Sequence, residues 1–291
     1  MAKVIIVGNQ HISKPNLPRY SQHQLISTKK FPLGRWPLEK IWSPLEGLAA
    51  WQPVWEGYQL VHSLNGIPYT NKPFFVTFEL FLPYILSGGG NNRAKSILKE
   101  KLIERLALDN CRKLIPMSEW AKMRFINHLG KWDKLAQIKD KLEVIHPNFP
   151  LLASQPKIYS DNQPLQLIFV GAHLARKGGI VALRVASKAK QKGLPITVHI
   201  ISLLKCGGGV PTDFPDRERY APDLKLLELD NVVYHGRVSN QEMLKLLGES
   251  HFQIITTLHD TYGFSVIEGF SVGTPAIATN VCALPEFVRD G

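Results

Sequence analysis

The stretch HDTYGFSVIEGFSVGTPAIATN, residues 259–280, decides the fold of this 291-residue chain. An apolar run that ends near Thr256 precedes this stretch. The stretch begins with a loop that ends near Gly263, and apolar residues at helical spacing follow the loop. This order predicts a buried strand, a turn, and a helix over residues 265–272 whose first amides point toward the carboxyl edge of a sheet. Open α/β sheets bind ligands at that edge, where a helix N-terminus favours a diphosphate.

Two acidic side chains in this stretch suit a different part of a ligand. Asp260 lies just before the predicted helix, and Glu268 lies eight positions later, within it. A carboxylate repels phosphate, so its natural partners here are the hydroxyls of a ribose or a hexose. Each charge-assisted hydrogen bond of this kind contributes about 1.5–3 kcal/mol. The pair therefore predicts a sugar-binding surface.

A basic turn earlier in the chain supplies matching cations. Residues 171–179, GAHLARKGG, follow the apolar run at residues 165–170 as the first strand-to-helix turn of the second half. Arg176 can hold a phosphate through two hydrogen bonds, and Lys177 adds a compact positive charge. Cations for a diphosphate and carboxylates for hydroxyls together predict a nucleotide-sugar pocket, although each residue taken alone also fits an ordinary turn or helix surface.

Short apolar runs alternate with helical stretches along the whole chain, which predicts parallel strands, crossover helices and hence an α/β fold. In the first half the predicted strands are residues 3–7, 59–62, 74–78, 113–116 and 142–145, and the helices are residues 92–108 and 119–128. In the second half the predicted strands are residues 165–170, 196–201, 232–234, 252–256 and 276–278, and the helices are residues 179–192, 240–247 and 265–272. Four prolines between residues 147 and 164 place a linker at 151–164, between domains at 1–150 and 165–291.

The composition is that of a soluble globular protein. With 44% hydrophobic and 20% charged residues, the chain can bury two ordinary cores. The N-terminal apolar run reaches Gly8 after only four residues, too short for a signal-peptide core or a membrane span. The cysteines show no metal or disulfide spacing, which favours a reducing, cytoplasmic setting; they are Cys111, Cys206 and Cys282.

The net charge of +11 is unevenly distributed. Residues 1–150 hold 21 basic and 11 acidic side chains, whereas residues 151–291 hold 14 and 13. A basic field attracts anionic membrane surfaces, phosphorylated acceptors or nucleic acid, and it also serves solubility alone. Because the chain contains no recognised nucleic-acid module and no regular interleaving of aromatic with basic residues, nucleic acid is disfavoured.

The second half resembles the family 4 retaining glycosyltransferases, which have the GT-B fold. Three segments carry the resemblance: FVGAHLARKGG at 169–179, NVVYHGRVSNQEMLKLL at 231–247, and DTYGFSVIEGFSVGTPAIATNVCALPEFVRDG at 260–291. The resemblance implies two Rossmann-like domains with a cleft between them, the second of which binds the donor. It also implies that the family sequence continues beyond Gly291, so that the donor domain is incomplete here.

The same resemblance assigns roles to individual residues. Glu268 would bind the donor ribose, and Asp260, where the family has Glu, would contact the transferred sugar. The cations Arg176 and Lys177 would stabilise the departing diphosphate. The remaining donor-binding residues are glycine and helix-start positions: Gly171, Gly263, Phe264 and Ser265.

The first half resembles the acceptor-side domain of the same family through LVHSLNGIP, FFVTFEL and LIPMSEWAK. Two features depart from the family pattern. NQHISKPNLPRY at 9–20 replaces the glycine-pair loop after the first strand, and Glu79 stands where an active-site histidine is usual. Glu79 is consistent with a carboxylate beneath the anomeric carbon, with a different acceptor, or with weakened catalysis.

The sequence thus predicts a hexosyltransferase-like enzyme that moves a sugar from an NDP-sugar to a sugar or lipid-linked acceptor in polysaccharide or glycolipid synthesis. It needs no metal and no cofactor beyond the donor, and its basic half supports peripheral membrane contact. A noncatalytic nucleotide-sugar-binding protein is the main alternative. A nicotinamide-dependent oxidoreductase is disfavoured, because Gly8 is followed by Asn9 and Gln10 rather than by a glycine-rich fingerprint.

Overall fold

The computed structural model describes residues 1–7, 21–27, 51–53, 57–83, 93–130, 132–155, 157, 160, 162–207, 212 and 216–289. The chain divides into two compact units, Met1–Asn148 and Phe149–Gly291. The loop at 9–20, which replaces the glycine pair, lies outside the described residues.

The first unit contains a parallel α/β sheet. Its strands are β1 (Lys3–Val7), β2 (Gln24–Ser27), β3 (Trp51–Pro53), β4 (Leu60–Leu64), β5 (Ile67–Tyr69), β6 (Phe74–Phe78) and β7 (Cys111–Pro116). Five of them form one sheet in the order β2-β1-β4-β6-β7, and β3 pairs with β5 separately. Every pairing is parallel, as the apolar, β-branched runs predict.

Among the described residues of this unit the helices are α1 (Arg93–Ala107), α2 (Glu119–Leu129) and α3 (Leu135–Lys139). Ser118 caps the N-terminus of α2, because its hydroxyl accepts a 3.0 Å hydrogen bond from the Ala121 amide. Phe125 of α2 packs into the core against Phe78, with ring centroids 5.0 Å apart. The fully buried side chains of β4, β6 and β7 complete that core.

The second unit is a parallel sheet with a reversal in strand order. Its strands are β8 (Leu165–Val170), β9 (Ile196–Ile201), β10 (Val232–Tyr234), β11 (Phe252–Ile255) and β12 (Ala276–Ala278). The order is β10-β9-β8-β11-β12. The chain first adds β9 and β10 on one side of β8, and then adds β11 and β12 on its other side. Its helices are α4 (Gly179–Gln191), α5 (Asn240–Glu249) and α6 (Phe264–Ser271), with 3-10 turns at Ala221–Glu228 and Leu284–Glu286.

The predicted fold class is confirmed, with differences in the short elements. Residues 142–145 do not form a regular strand as predicted: Leu142 makes an isolated bridge to Leu114, and the amides of Glu143 and Ile145 donate to the Leu114 and Pro116 carbonyls at 3.0 and 3.2 Å. Described residues of the predicted linker 151–164 make contact with the second unit. The amides of Leu152 and Ala153 donate to the Ser271 carbonyl at 2.6 and 3.0 Å.

The length and the hydropathy of a helix decide whether it can cross a membrane. Within the described parts of the chain, no helix combines the length and the apolar character that a bilayer crossing requires.

Candidate functional site

The candidate site lies where the strand order of the second unit reverses. β8 and β11 are parallel neighbours, and the chain leaves their carboxyl ends toward α4 and α6 respectively. Open α/β sheets bind ligands in the crevice at such a reversal. The basic turn after β8 and the stretch that contains Asp260 after β11 therefore meet at one edge of the sheet.

The basic turn is held tightly against the end of β11. The Thr256 hydroxyl donates to the Gly178 carbonyl at 2.9 Å, and the Thr257 hydroxyl donates to the Arg176 carbonyl at 3.1 Å. Gly178 has φ +83°, and a Cβ atom there would overlap the Thr256 backbone. At Gly171 a Cβ atom would lie 2.9 Å from the Phe169 ring. Gly178 therefore permits the close approach of two backbones, and Gly171 permits the close packing of the Phe169 and Lys177 side chains.

The two predicted cations of this turn occupy different environments. The Lys177 ammonium contacts an Asp260 carboxylate oxygen, whereas an Arg176 guanidinium nitrogen lies 3.4 Å from His173 Nδ1. The pKa of His173 is lowered by burial and by the charges of Arg176, Lys205 and Lys177. The turn thus carries a positive field suited to an anion.

The N-terminus of α6 faces the same edge. Gly263 has φ +84°, and a Cβ atom there would lie 2.6 Å from Leu284 Cδ2. Its amide donates to Asp260 Oδ1 at 3.1 Å, so this predicted donor is already engaged. The amides of Phe264 and Ser265 find no acceptor among the described residues. Amides at a helix start are the groups that can donate hydrogen bonds to an anion.

Glu268 lies farther along α6 and is partly buried. Its Oε1 atom accepts a 3.4 Å hydrogen bond from the side-chain amide of Asn240, the first residue of α5. Burial raises the pKa of Glu268, and the hydrogen bond from Asn240 opposes part of that shift. Because α5 begins shortly after the carboxyl end of β10, Glu268 also lies at the carboxyl edge of the sheet.

Glu79 belongs to the first unit, where it directly follows β6 at the carboxyl edge of that sheet. Its amide donates a 2.9 Å hydrogen bond to Asn65 Oδ1. Asn65 adopts φ +57°, and its own amide donates to the Thr77 carbonyl at 2.8 Å. Asn65 therefore fixes the backbone on both sides of Phe78 and sets the position from which the Glu79 side chain projects.

The histidines of the second sheet pair with each other. His199 Nδ1 lies 3.0 Å from His235 Nε2, and His199 Nε2 lies 2.8 Å from Gln166 Oε1. In the described portion of the chain, no three His, Cys, Asp or Glu side chains are grouped as metal ligands.

Several residues that shape the site were not singled out from the sequence. Thr256, Thr257 and Asn240 act through contacts to residues 28 to 81 positions away. Lys205 influences the site through its positive charge, which lowers the pKa of His173. A composition or spacing pattern carries no signal for such contacts, because they depend on how distant segments meet.

The second unit is similar to a known family of proteins. Residues 153–291 match the family model described as glycosyl transferases group 1. A curated relative is the "Uncharacterized 41.2 kDa protein in cps region" of Klebsiella pneumoniae, 35% identical over 65 residues, which are 22% of this chain. The aligned segment spans 18% of that relative's own length.

Two solved structures show the same fold at low sequence identity. Sucrose-phosphate synthase from Thermosynechococcus elongatus matches with a TM-score of 0.55 and 16% identity, covering 99% of this chain and 84% of its own. WaaG, a glycosyltransferase involved in lipopolysaccharide biosynthesis, matches with a TM-score of 0.51 and 14% identity, covering 94% and 72%. The predicted GT-B fold is confirmed, and the predicted resemblance is confirmed as the group 1 match of the second unit. Assignment to family 4 stays a prediction.

Proposed function

We propose that this protein is a retaining glycosyltransferase of family 4 that uses an NDP-sugar donor. The observation that carries the proposal is the meeting of a cationic turn and a helix N-terminus at the strand reversal of the second unit. Lys177 of the turn contacts Asp260 beside α6, and the Phe264 and Ser265 amides that begin this helix have no acceptor within the described part of the chain. The group 1 match of residues 153–291 supports the proposal independently.

In this proposal the donor diphosphate lies between the turn and the helix. Arg176 and Lys177 supply positive charge, and the Phe264 and Ser265 amides donate hydrogen bonds that the helix dipole strengthens. The partly buried Glu268 accepts hydrogen bonds from the ribose hydroxyls. The free-energy cost of burying the Glu268 carboxylate is offset when those hydroxyls bind, because a carboxylate in a less polar environment accepts stronger hydrogen bonds.

Transfer breaks the bond between the anomeric carbon and the β-phosphate oxygen of the donor. A bond from the anomeric carbon to the acceptor hydroxyl oxygen forms on the same face, and the hydroxyl proton leaves with the nucleoside diphosphate. The negative charge that develops on the diphosphate meets preorganised cations and amides, which stabilise the transition state without the aid of a metal ion.

The acceptor is proposed to be a sugar or a lipid-linked sugar in polysaccharide or glycolipid synthesis. The excess of positive charge in residues 1–150 favours an anionic acceptor and peripheral contact with an anionic membrane surface on the cytoplasmic side. Two of the related proteins bear names from such settings, one a "cps region" and the other lipopolysaccharide biosynthesis. Glu79, at the carboxyl edge of the first sheet, is proposed to act on the acceptor side.

The donor alone suffices to test turnover, because glycosyltransferases transfer slowly to water. The protein is incubated with UDP-, GDP-, ADP- and CDP-sugars, and proton NMR follows the free sugar in its first minutes. One donor is expected to release its sugar with the anomeric configuration of the donor, with an unchanged rate in EDTA. Release of the opposite anomer would contradict retention, and tight donor binding without any release would favour the noncatalytic alternative.

A further inference from the structure

Asp260 is a carboxylate whose two oxygens are both engaged inside the protein. Oδ1 accepts the Gly263 amide at 3.1 Å, and Oδ2 contacts the Lys177 ammonium. The Asp260 side chain is 8% exposed and the Lys177 side chain 21% exposed. Little of this carboxylate faces outward toward a ligand.

The two partners of Asp260 belong to different elements. Lys177 lies in the turn after β8, and Gly263 is the residue from which α6 begins. The carboxylate therefore connects the turn to the helix start by two charge-assisted contacts, which are the stronger kind of hydrogen bond. Because a lysine side chain has four rotatable bonds, an ammonium without such an anchor would sample many positions.

We infer that Asp260 is a positioning residue that holds Lys177 and the first turn of α6 in place for the donor diphosphate. This inference rests on the proposed function and deepens it. It replaces the direct contact to the transferred sugar that the family resemblance implies for Asp260.

The length of the side chain fits this role. An aspartate can accept the amide three residues later while its second oxygen points elsewhere, as in an N-terminal helix cap. Gly263 cannot shift freely to follow a longer side chain, because it packs against Leu284 and adopts a backbone conformation that other residues rarely use. A glutamate here would carry the same charge but present it one methylene farther out.

The deciding experiment compares two ligands by calorimetry, the nucleoside diphosphate and its sugar conjugate, for the wild type and for Asp260→Asn. A positioning role predicts about tenfold weaker binding of both ligands, by equal factors, since the sugar is not involved. A sugar contact predicts weaker binding of the conjugate alone. Unchanged or tighter binding of the nucleoside diphosphate by the variant overturns the inference.

Three further changes make the result specific. In the Asp260→Asn background, an added Lys177→Gln change is expected to cost much less affinity than it does in the wild type, because Asp260 acts through Lys177. If the asparagine variant does not fold, Asp260→Glu serves instead, with the same equal loss for both ligands. Asp223→Asn is the matched control, since it removes an aspartate bonded to Arg184 at 2.8 Å between α4 and the neighbouring 3-10 turn.

Failure of the inference and failure of the proposed function give different results. If the wild type binds no nucleoside diphosphate, the proposed function is wrong and the inference falls with it. If the wild type binds and the Asp260 variants keep full affinity for the nucleoside diphosphate, only the inference is wrong.

Discussion

The Thr256 side-chain hydroxyl donates a 2.9 Å hydrogen bond to the carbonyl oxygen of Gly178. This bond joins the carboxyl end of β11 to the last residue before α4, so it links the two segments that leave the sheet at the strand reversal. Gly178 has φ +83° and leaves no space for a Cβ atom beside Thr256. The basic turn consequently depends on a single glycine for its distance from β11.

Gly178→Ala is expected to weaken nucleoside diphosphate binding at least tenfold and to destabilise the second unit. An alanine at positive φ costs about 1–2 kcal/mol, and the overlap with Thr256 moves the turn in addition. Denaturant unfolding and calorimetry measure the two effects.

Gly193→Ala is the matched control for that change. Gly193 also has positive φ, +64°, but no atom lies within 4 Å of its added Cβ. It should show the backbone cost alone, about 1–2 kcal/mol, with normal ligand affinity. Equal affinities for the two alanine variants would mean that the turn does not bind the diphosphate.

Glu268→Gln is expected to raise the melting temperature of the unliganded protein at neutral pH while weakening nucleotide binding. Burial raises the pKa of Glu268 in the folded state above its unfolded value. Between those two values the unfolded state ionises first, so the wild type loses stability as the pH rises. Glutamine cannot ionise and avoids this loss.

The pH dependence checks the sign of that effect. The stability difference between Glu268→Gln and the wild type should be present at pH 7 and vanish below the ordinary glutamate pKa of 4.5, where both states of the wild type are protonated. Thermal melts at pH 4 and pH 7 measure it. A glutamine variant that melts below the wild type at pH 7 would show that the carboxylate is stabilising where it lies.

Lys157→Met is expected to destabilise the second unit by about 1–3 kcal/mol. The Lys157 ammonium donates to the carbonyls of Leu247 and Ser250 at 3.2 and 2.5 Å and to the Thr274 hydroxyl at 2.5 Å. Methionine retains the apolar stem but leaves these acceptors without their donor. Urea unfolding measures the loss, and Lys188→Met, at an exposed position on α4, is the control.

A pH series extends the same measurement. Burial lowers the pKa of Lys157 from 10.5 to about 8, so the unfolded state binds more protons between these values. The stability of the wild type should therefore rise relative to Lys157→Met as the pH increases from 8 toward 10. A constant difference across that range would contradict the assigned environment of Lys157.

Long apolar runs made most of the fold predictable. β1, β6, β8, β9, β10 and β12 have their predicted bounds, since each is an apolar, β-branched or aromatic run limited by turn-forming residues. β5 was not predicted because it has three residues and a proline at its centre, and α3 was not predicted because five residues show no helical period. Short elements form where tertiary contacts stabilise them, which no local pattern reveals.

The sequence indicated which residues belong to the candidate site, but it did not indicate which of them contact each other. The sequence placed Lys177 and Asp260 at one edge, but it assigned them to different parts of the ligand, whereas the structure joins them directly. Lys157 was included in a linker, because its three acceptors lie 90 to 117 residues away. Such contacts depend on the packed arrangement of distant segments.

Asn65→Gly tests the acceptor-side role proposed for Glu79. Glycine keeps the backbone at φ +57° but removes the side-chain oxygen that accepts the Glu79 amide. Sugar transfer should fall severalfold with little change in melting temperature or in donor affinity, and Glu79→Gln should lower it further. Transfer that is insensitive to both changes would remove Glu79 from the reaction.

The central claim is that the second unit binds a nucleotide sugar through Glu268 and the basic turn. Calorimetry with UDP, GDP, ADP and CDP and their sugar conjugates tests it most directly, using the wild type, Glu268→Ala, and the exposed Glu249→Ala as control. We expect saturable binding of one nucleotide, weakened at least about tenfold by Glu268→Ala and unchanged by Glu249→Ala. Absence of binding to all of these ligands by the folded wild type would contradict the claim.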